Sequence, residues 1–489
     1  MRTLARLAPL LAALALVAPA AAHASGAMTT GIADDRAVLQ EPSDERAAAT
    51  AAEWAALGID DVRIFAQWDR IAPGASDATV PEGFDGRDPD SPLYDFGALD
   101  RAIGLVTAAG LHPILSVTGP GPLWASATPS RGQARYKPRP ELFAQFASAV
   151  ARRYGASVDR YVIWNEPNLP LWLQPQNTCT GKRCTPYAPH LYRRLVRAAQ
   201  PEIAAADPGA TVLFGALAPR GDSPTSANAR TRPLAFIRSL ACVDARYRRD
   251  RKGSCAGFQP LTADGFAYHP HATTFAPAVP RTNLDEASIG DLPRLERVLD
   301  SAQRAGGLRN AAGSAHFGLW LTEWGYQTRP PDPIQGVTLA QQSRWLQDGA
   351  YLAWRDPRVR LLTQYEWRDE PLGRGNVLVK YSGWQSGLRF ADDRPKPALA
   401  TFQNPFHVNV SGRTATLWGQ VRPGAAHPVT VQRRRPGTTR WITLKTLSTN
   451  AVGFWSLRQP LNTPQQFRFT WQPDGAPLRA GDAVMARRG

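Results

Sequence analysis

Residues 161–168 have the sequence YVIWNEPN, in which an apolar run of the kind that forms a buried strand ends on a carboxylate, Glu166. The same arrangement returns at residues 318–325, GLWLTEWG, where Glu323 closes the run. In a barrel of parallel strands, the carboxyl ends of all strands surround one mouth. Two glutamates at such ends can face each other, so this pair is the first candidate for a catalytic site.

The segments around these runs predict the barrel itself. Apolar runs and amphipathic segments alternate over residues 29–402, the pattern of a parallel α/β fold. Strands are predicted at residues 30–33, 61–66, 112–118, 160–164, 211–216, 265–268, 318–322 and 360–364, and helices at residues 44–57, 96–109, 140–154, 189–206, 234–243, 292–305 and 340–355. Eight strands separated by helices favour a closed (β/α)8 TIM barrel, because no Gly-x-Gly-x-x-Gly follows the first strand to favour a dinucleotide-binding sheet.

The last part of the chain has another pattern. Residues 406–489 lack helical periodicity and contain short alternating segments at residues 407–410, 414–421, 429–434, 441–447, 453–457 and 466–472. Alternation with a period of two between turn residues is typical of antiparallel strands. We therefore predict a TIM barrel at residues 29–402 followed by a small all-β sandwich domain at residues 406–489.

The first 24 residues have the features of a targeting segment. Arg2 and Arg6 precede an apolar run at residues 7–22, and small residues end the segment at residues 22–24. This combination predicts a secretory signal peptide at residues 1–24, so we expect a secreted protein. An uncleaved membrane anchor is the alternative. No later segment is long and apolar enough to span a bilayer, so stable membrane insertion is not expected.

Four cysteines in an exported chain predict two disulfides. Cys179 and Cys184 lie close together in one loop, and Cys242 and Cys255 flank an arginine-rich segment, so local pairing is favoured among the three connectivities. A metal site is the rival interpretation, but neither a Cys-x-x-Cys spacing nor clustered histidines accompany the cysteines. We expect no metal and no cofactor.

The net charge is +16, from 57 lysines and arginines against 41 acidic residues. A basic protein can attract anionic polymers such as nucleic acid or an acidic cell-wall glycan. The arginines are scattered, and no motif of interleaved basic and aromatic residues occurs, so nucleic-acid binding is not expected. A solvated basic surface and an affinity for anionic glycans both stay open.

Glu166 and Glu323 suit glycoside hydrolysis. That reaction needs one carboxyl group to protonate the leaving oxygen and another to attack the sugar or to activate water. An isolated glutamate is usually a surface charge. Two glutamates at strand ends, each close to tryptophans that can stack on sugar rings, favour catalysis instead. The expected partner is an oligo- or polysaccharide substrate, and the sequence leaves the oligomeric state open.

These motifs resemble those of clan A glycoside hydrolases. Residues 164–168, WNEPN, and residues 322–325, TEWG, are similar to the acid/base and nucleophile motifs of cellulase-like and family-39-like members. The resemblance covers residues 30–402 and includes short segments in the same order at residues 61–63, 68–73, 94–96, 122–125, 387–389 and 395–398. It implies retaining hydrolysis of O-glycosidic bonds, β-linked ones by preference, with carboxyl groups about 5 Å apart.

The resemblance also implies individual roles. Glu323 would be the nucleophile, and Glu166 the acid that later acts as a base. Asn165 would hydrogen-bond the 2-hydroxyl of the sugar. Arg63, in the second strand, would keep Glu323 ionised through its positive charge, with a surface arginine as the alternative.

His269 matches the histidine of a His-Pro-Tyr type motif, but His271 occupies the tyrosine position. The tyrosine that usually contacts the nucleophile is therefore missing. Tyr268 or Tyr326 could replace it, or His271 could donate the hydrogen bond. His269 as a purely structural histidine is the alternative to a site residue.

Several tryptophans are candidates for sugar contacts. Trp367, just past the eighth strand, resembles the sugar-stacking platform of the family, with core packing as the alternative. Trp124 and Trp172 are weaker candidates for subsite walls. The last domain resembles bacterial immunoglobulin-like accessory domains and is either a stabilising spacer or a glycan-binding module. The second function would use its exposed tryptophans, for which the sequence offers Trp418, Trp441 and Trp455.

Two functions of other classes stay open beside a hydrolase. One is a catalytically silent glycan-binding protein that kept the barrel. The other is an adhesin for anionic surfaces, which predicts salt-sensitive binding without hydrolysis.

Overall fold

The computed structural model describes residues 24–473 and 475–487. The predicted signal peptide, apart from Ala24, lies outside the described residues. Among the helices of the described ranges, none is both long and apolar enough to cross a bilayer.

Eight parallel strands form a closed barrel, so the predicted (β/α)8 fold is confirmed. They are β1 (Thr29–Ala33), β2 (Asp61–Gln67), β3 (His112–Thr118), β4 (Arg160–Ile163), β5 (Thr211–Leu217), β6 (Gly265–Tyr268), β7 (Gly318–Trp324) and β8 (Val359–Tyr365). Each pairs with its neighbours in chain order, and β8 closes the barrel against β1. The carboxyl ends of all eight strands therefore meet at one mouth.

Helices cover the barrel between the strands. They are α1 (Asp44–Ala56), α2 (Gly97–Ala108), α3 (Pro140–Tyr154), α4 (Ala188–Ala206), α5 (Pro233–Leu240), α6 (Leu292–Arg304), α7 (Leu339–Arg355) and α8 (Pro397–Gln403). Local chemistry sets their starts: the Thr338 hydroxyl accepts from the Gln341 amide, and the Gln341 side chain accepts from the Thr338 amide, a capping box at the start of α7. Proline begins α3 and α5, where its missing N–H costs nothing.

Alternation along the strands produces two apolar layers. On β4, Tyr161 and Ile163 belong to the large layer that the helices cover, and Val162 belongs to the small cluster inside the barrel. That inner cluster also contains Ile114, Leu213, Ala216, Ala267 and Leu361. The barrel interior is thus a packed core, and polar side chains collect at its mouth.

The chain after residue 405 folds as antiparallel strands, as predicted. They are β9 (Phe406–Ser411), β10 (Thr414–Gln420), β11 (Pro428–Arg434), β12 (Ile442–Ser448), β13 (Phe454–Pro460), β14 (Gln465–Trp471), β15 (Arg479–Ala480) and β16 (Val484–Ala486). One sheet has the order β9-β10-β13, and the other has the order β12-β11-β14-β15, with β16 also on β14. The sequence did not predict β15 and β16, because two or three residues are too few to show alternation. The domain limits and the immunoglobulin-like character stay predictions.

This part packs against the barrel through aromatic rings, which we call the junction. Trp354 of α7 lies 5.8 Å from Trp418 and 6.3 Å from Phe454 between ring centroids, and His407 stacks on Tyr351 at 4.2 Å. Trp418 is fully buried here, so its predicted availability for glycan binding is wrong.

The other two tryptophans of this part are also engaged. Trp455 is 3% exposed within the sandwich core, which rules out a stacking role. Trp441 lies between the guanidinium groups of Arg434 and Arg468, at 4.5 and 4.3 Å.

Both predicted disulfides are confirmed. Cys179 pairs with Cys184 across a short hairpin, and Cys242 pairs with Cys255 after α5. Both lie in loop regions outside the barrel strands.

Candidate active site

The backbone around Glu166 is bent into the mouth. Trp164 and Glu166 have φ angles of 68° and 37°, a left-handed conformation that is uncommon for residues other than glycine. Three hydrogen bonds hold it: the Trp164 amide donates to the Val117 carbonyl at 2.8 Å, the Asn165 amide to the Thr118 hydroxyl at 3.0 Å, and the Glu166 amide to the Ala216 carbonyl at 3.0 Å. Neighbouring strands thus impose the direction of the Glu166 side chain, as expected where strained backbone persists.

Glu323 is the second-last residue of β7, whereas the sequence predicted that it directly follows the strand. The pairing of β7 with β8 shifts register between Leu321 and Trp324, which is an irregularity that re-aims side chains and is frequent next to active sites. Trp324 points outward and packs on Gly349 of α7, where a Cβ atom would lie 2.0 Å from the indole. Trp164 is fully buried as well, so neither tryptophan beside the glutamates can stack on a sugar.

His269 bridges the two glutamates. Its Nδ1 atom lies 3.0 Å from Oε1 of Glu166 and 3.5 Å from Oε2 of Glu323, and the ring is fully buried. One ligating atom from each of the three residues lies within 4.8 Å of the others. These atoms could hold a cation, but Arg63 already supplies a positive charge beside Glu323, and like charges repel.

Glu323 is buried beside one arginine and two histidines. Nη2 of Arg63 donates to its Oε1 at 2.6 Å, and Nε2 of His271 lies 3.6 Å from its Oε2. Burial acts to raise the pKa of Glu323, but His269, Arg63 and His271 outweigh it and hold the pKa well below the ordinary value. Arg63 is 5% exposed with the ring of Phe65 at 4.4 Å, so the alternative of a surface arginine is wrong.

Asn165 carries an unpaired acceptor at the mouth. Its side chain is 3% exposed, and among the described residues its Oδ1 has no hydrogen-bond partner. Two further atoms close to Glu323 lack partners within the same ranges, Nη1 of Arg63 and Nδ1 of His271. Buried polar atoms are normally paired, so unpaired atoms beside two carboxylates suit a polar ligand such as a sugar hydroxyl.

Neither predicted tyrosine contacts the nucleophile. The Tyr326 hydroxyl donates to the Phe275 carbonyl at 2.9 Å, and the Tyr268 hydroxyl donates to the Ala287 carbonyl at 2.7 Å. The prediction that Tyr326 binds substrate is therefore wrong, because its hydroxyl is engaged by a loop and its ring is buried against Trp345. His271 is the residue that approaches Glu323 from this position.

Trp367 is not a platform for a sugar. It is 1% exposed, its ring lies edge-on to Trp54 of α1 at 6.4 Å, and the Arg389 guanidinium lies 4.9 Å from the ring centroid. The core-packing alternative is correct for this residue. Trp124 is buried too, and donates to the Pro73 carbonyl at 2.9 Å. Trp172 is half-buried beside Phe65 at 5.5 Å and stays a candidate for a subsite wall.

Two aromatic residues at the mouth were not predicted. The ring of Trp384 lies 4.9 Å from the His271 ring and 5.2 Å from the Tyr365 ring. Burial and the nearby Glu323 charge raise the pKa of Tyr365 well above its ordinary value, so its hydroxyl stays protonated. Tyr365 is the last residue of β8, and this position could have identified it from the sequence. Trp384 lies in a loop whose sequence gives no indication that it reaches the mouth.

Asp35 was also missed, although it lies only two residues after the end of β1. Burial raises its pKa to about 6, against the opposing charge of Arg63. Its side chain accepts from the Phe65 amide at 3.2 Å and lines a cavity of about 460 Å³ with Phe65 and Gln67. This cavity extends the mouth on the side of β1 and β2.

Comparison with known proteins establishes the fold. No protein-family model matches the chain, and no curated protein matches its sequence. A family 39 glycoside hydrolase from the gut symbiont Bacteroides cellulosilyticus WH2 is similar in structure with a TM-score of 0.52 and 14% identity, over 89% of this chain and 82% of that chain. A glucosidase from Croceicoccus marinus has a TM-score of 0.48 and 12% identity, over 91% of this chain and 95% of that chain. The first likeness confirms the barrel fold that the sequence resemblance implied.

Proposed function

We propose that this chain is a secreted retaining glycoside hydrolase that cleaves O-glycosidic bonds, β-linked ones by preference, in oligo- or polysaccharides. One observation carries the proposal: carboxylate oxygens of Glu166 and Glu323 lie within 4.8 Å, and Glu323 is paired with the buried Arg63. Retaining enzymes have carboxyl groups about 5–5.5 Å apart, whereas inverting enzymes need about 6.5–9.5 Å to hold a water.

The first step breaks the glycosidic bond. An oxygen of Glu323 attacks the anomeric carbon as the bond to the leaving oxygen breaks, and Glu166 donates its proton to that oxygen. The low pKa of Glu323 supports this assignment, because a nucleophile must be ionised while its partner is protonated. The product is a glycosyl ester on Glu323.

The second step releases the sugar. Glu166, now a carboxylate, takes a proton from a water that attacks the anomeric carbon, and the bond to Glu323 breaks. Two inversions give net retention. His269 contacts both carboxyl groups and is suited to orient them, and the free acceptor of Asn165 is suited to a sugar hydroxyl.

Export is part of the proposal. The charged, apolar and small-residue pattern of residues 1–24 supports cleavage of a signal peptide. The two disulfides fit an oxidising compartment.

Product stereochemistry tests the proposal. The chain is incubated with a panel of β-linked oligosaccharides, and proton NMR follows the anomer that forms first. We expect the first product to keep the configuration of the substrate. An inverted first product would refute the retaining mechanism, and binding without any product would support the silent glycan-binding alternative.

A further inference from the structure

A cavity of about 240 Å³ lies between the loops that follow β5 and β6. Three arginines line it: Arg220 and Arg230 come from the loop after β5, and Arg281 comes from the loop after β6. Phe275, with 49% of its surface exposed, provides an apolar wall. The proposed hydrolytic steps use none of these residues.

The positive charges of this cavity are incompletely compensated. Asp222 holds Arg230 with two hydrogen bonds of 2.9 and 2.7 Å. Arg220 is half-buried and, within the described residues, has neither a hydrogen bond nor an ion pair, although Glu286 also lines the cavity. Burial and the charges of Arg281 and Arg230 lower the pKa of Arg220, and the opposing charges of Glu286 and Asp222 do not offset them. A partly buried guanidinium without a partner is costly, and an anion would relieve that cost.

Arg281 ties the cavity to the candidate active site. It is 8% exposed, its Nη2 donates to the His271 carbonyl at 3.2 Å, and its Nε has no partner among the described residues. Asn168 lies two residues after Glu166 and donates to the carbonyls of Ala218 and Thr231, both at 3.0 Å. These two bonds fix the loop that carries Arg220. Together with the bond from Arg281, they link the loops of the cavity to His271 and Asn168, which lie close to the two glutamates in the chain or in space.

We propose that this cavity binds an anionic group of the substrate, the carboxylate of a uronic acid or a sulfate ester, through Arg220 and Arg281. The inference rests on the proposed hydrolase function and names its substrate class, an acidic glycan. Guanidinium groups bind carboxylates and sulfates through paired hydrogen bonds, and the exposed Phe275 ring can cover the apolar face of the same sugar. The net charge of +16 favours the approach of such a polymer.

The test compares charged and neutral forms of the same glycans. Calorimetry is done in the Glu323→Gln background, so that no substrate is consumed. The probes are glucuronoxylan oligosaccharides with their carboxyl-reduced forms, and sulfated galactan oligosaccharides with their desulfated forms. We expect one charged form to bind on the order of tenfold more tightly than its neutral partner, which identifies uronate or sulfate as the ligand. Added salt should reduce this preference.

Two further substitutions assign the effect. Arg220→Gln should abolish the preference for the charged form. Arg309→Gln removes the same charge from an exposed position at the opposite end of the barrel and should keep the preference. The inference would be overturned if both forms of every pair bind equally or if no glycan binds. It would also be overturned if the two variants lose the preference for the charged form to the same extent. If the wild-type chain binds a charged form through Arg220 but hydrolyses nothing, the hydrolase proposal fails and the anion site is supported.

Discussion

The mouth of the barrel and the junction with the C-terminal sheets bury different kinds of side chain: charged and polar groups at the mouth, and aromatic rings at the junction. At the mouth, Arg63 and Glu323 are both about 5% exposed and form a 2.6 Å ion pair, and Oδ1 of Asn165 has no partner among the described residues. At the junction, the rings of Trp354, Trp418 and Phe454 lie 5.8 to 6.3 Å apart.

The buried arginines of the two regions also differ in their hydrogen bonding. At the junction, the buried Arg422 donates to the Phe402 carbonyl at 2.8 Å and to Oε1 of Gln420 at 2.9 Å, while the ring of Phe402 lies 4.3 Å away. At the mouth, Arg63 keeps unpaired N–H groups and the backbone of Glu166 is left-handed. The junction therefore consists mainly of packed aromatic rings, whereas the mouth holds a buried ion pair and strained backbone of the kind found at functional sites.

The largest effect is expected from Glu323→Gln. A neutral amide cannot attack the anomeric carbon, so kcat should fall by several orders of magnitude. Aryl glycoside hydrolysis measures the change, and near-ultraviolet circular dichroism checks that the fold is kept. Nearly normal turnover in a folded variant would remove Glu323 from the mechanism.

At the junction, Trp418→Ala should act on stability alone. Removing a buried tryptophan ring costs about 3–5 kcal/mol of unfolding free energy, because a cavity remains. The matched control is Trp441→Ala, whose half-buried ring lies between two arginines and should cost less. Denaturant unfolding gives both values. Loss of kcat in folded Trp418→Ala would show that the two regions are coupled.

Arg63→Gln should change both the rate and its pH dependence. Arg63 helps to lower the pKa of Glu323, so without it the pKa rises, and the acid limb of kcat/KM moves to higher pH. We expect a loss of about 100-fold at the optimum. The control is Arg160→Gln, which breaks the 2.6 Å pair with Asp61 at the other end of the barrel. If the acid limb shifts equally in both variants, the effect is not specific to Glu323.

The smallest effect concerns the tryptophans. Trp384→Ala should raise KM about tenfold by removing a ring next to His271 and Tyr365, with a smaller change in kcat. Trp367→Phe, a conservative change in a ring packed on Trp54, should leave KM unchanged. Steady-state kinetics on one oligosaccharide gives the KM and kcat of both variants. A higher KM in Trp367→Phe alone would restore the platform that the sequence predicted.

The sequence by itself determined the barrel, the C-terminal strands, both disulfides and the placement of Glu166 and Glu323 at strand ends. These features depend on local periodicity and short spacings, which the chain carries without reference to distant residues. Periodicity also placed Arg63 in an apolar strand, where a charge needs a partner.

Only the tertiary structure decided which side chains after the strands face the mouth. Glu366, directly after β8, has a φ of 70°, and this turn directs Trp367 away from the mouth and onto Trp54 of α1. Trp384 reaches the mouth from a loop instead, and His271 takes the place expected of a tyrosine. The alternation of a strand ends with its last regular residue, and beyond it the direction of each side chain depends on contacts made by residues far apart in the chain.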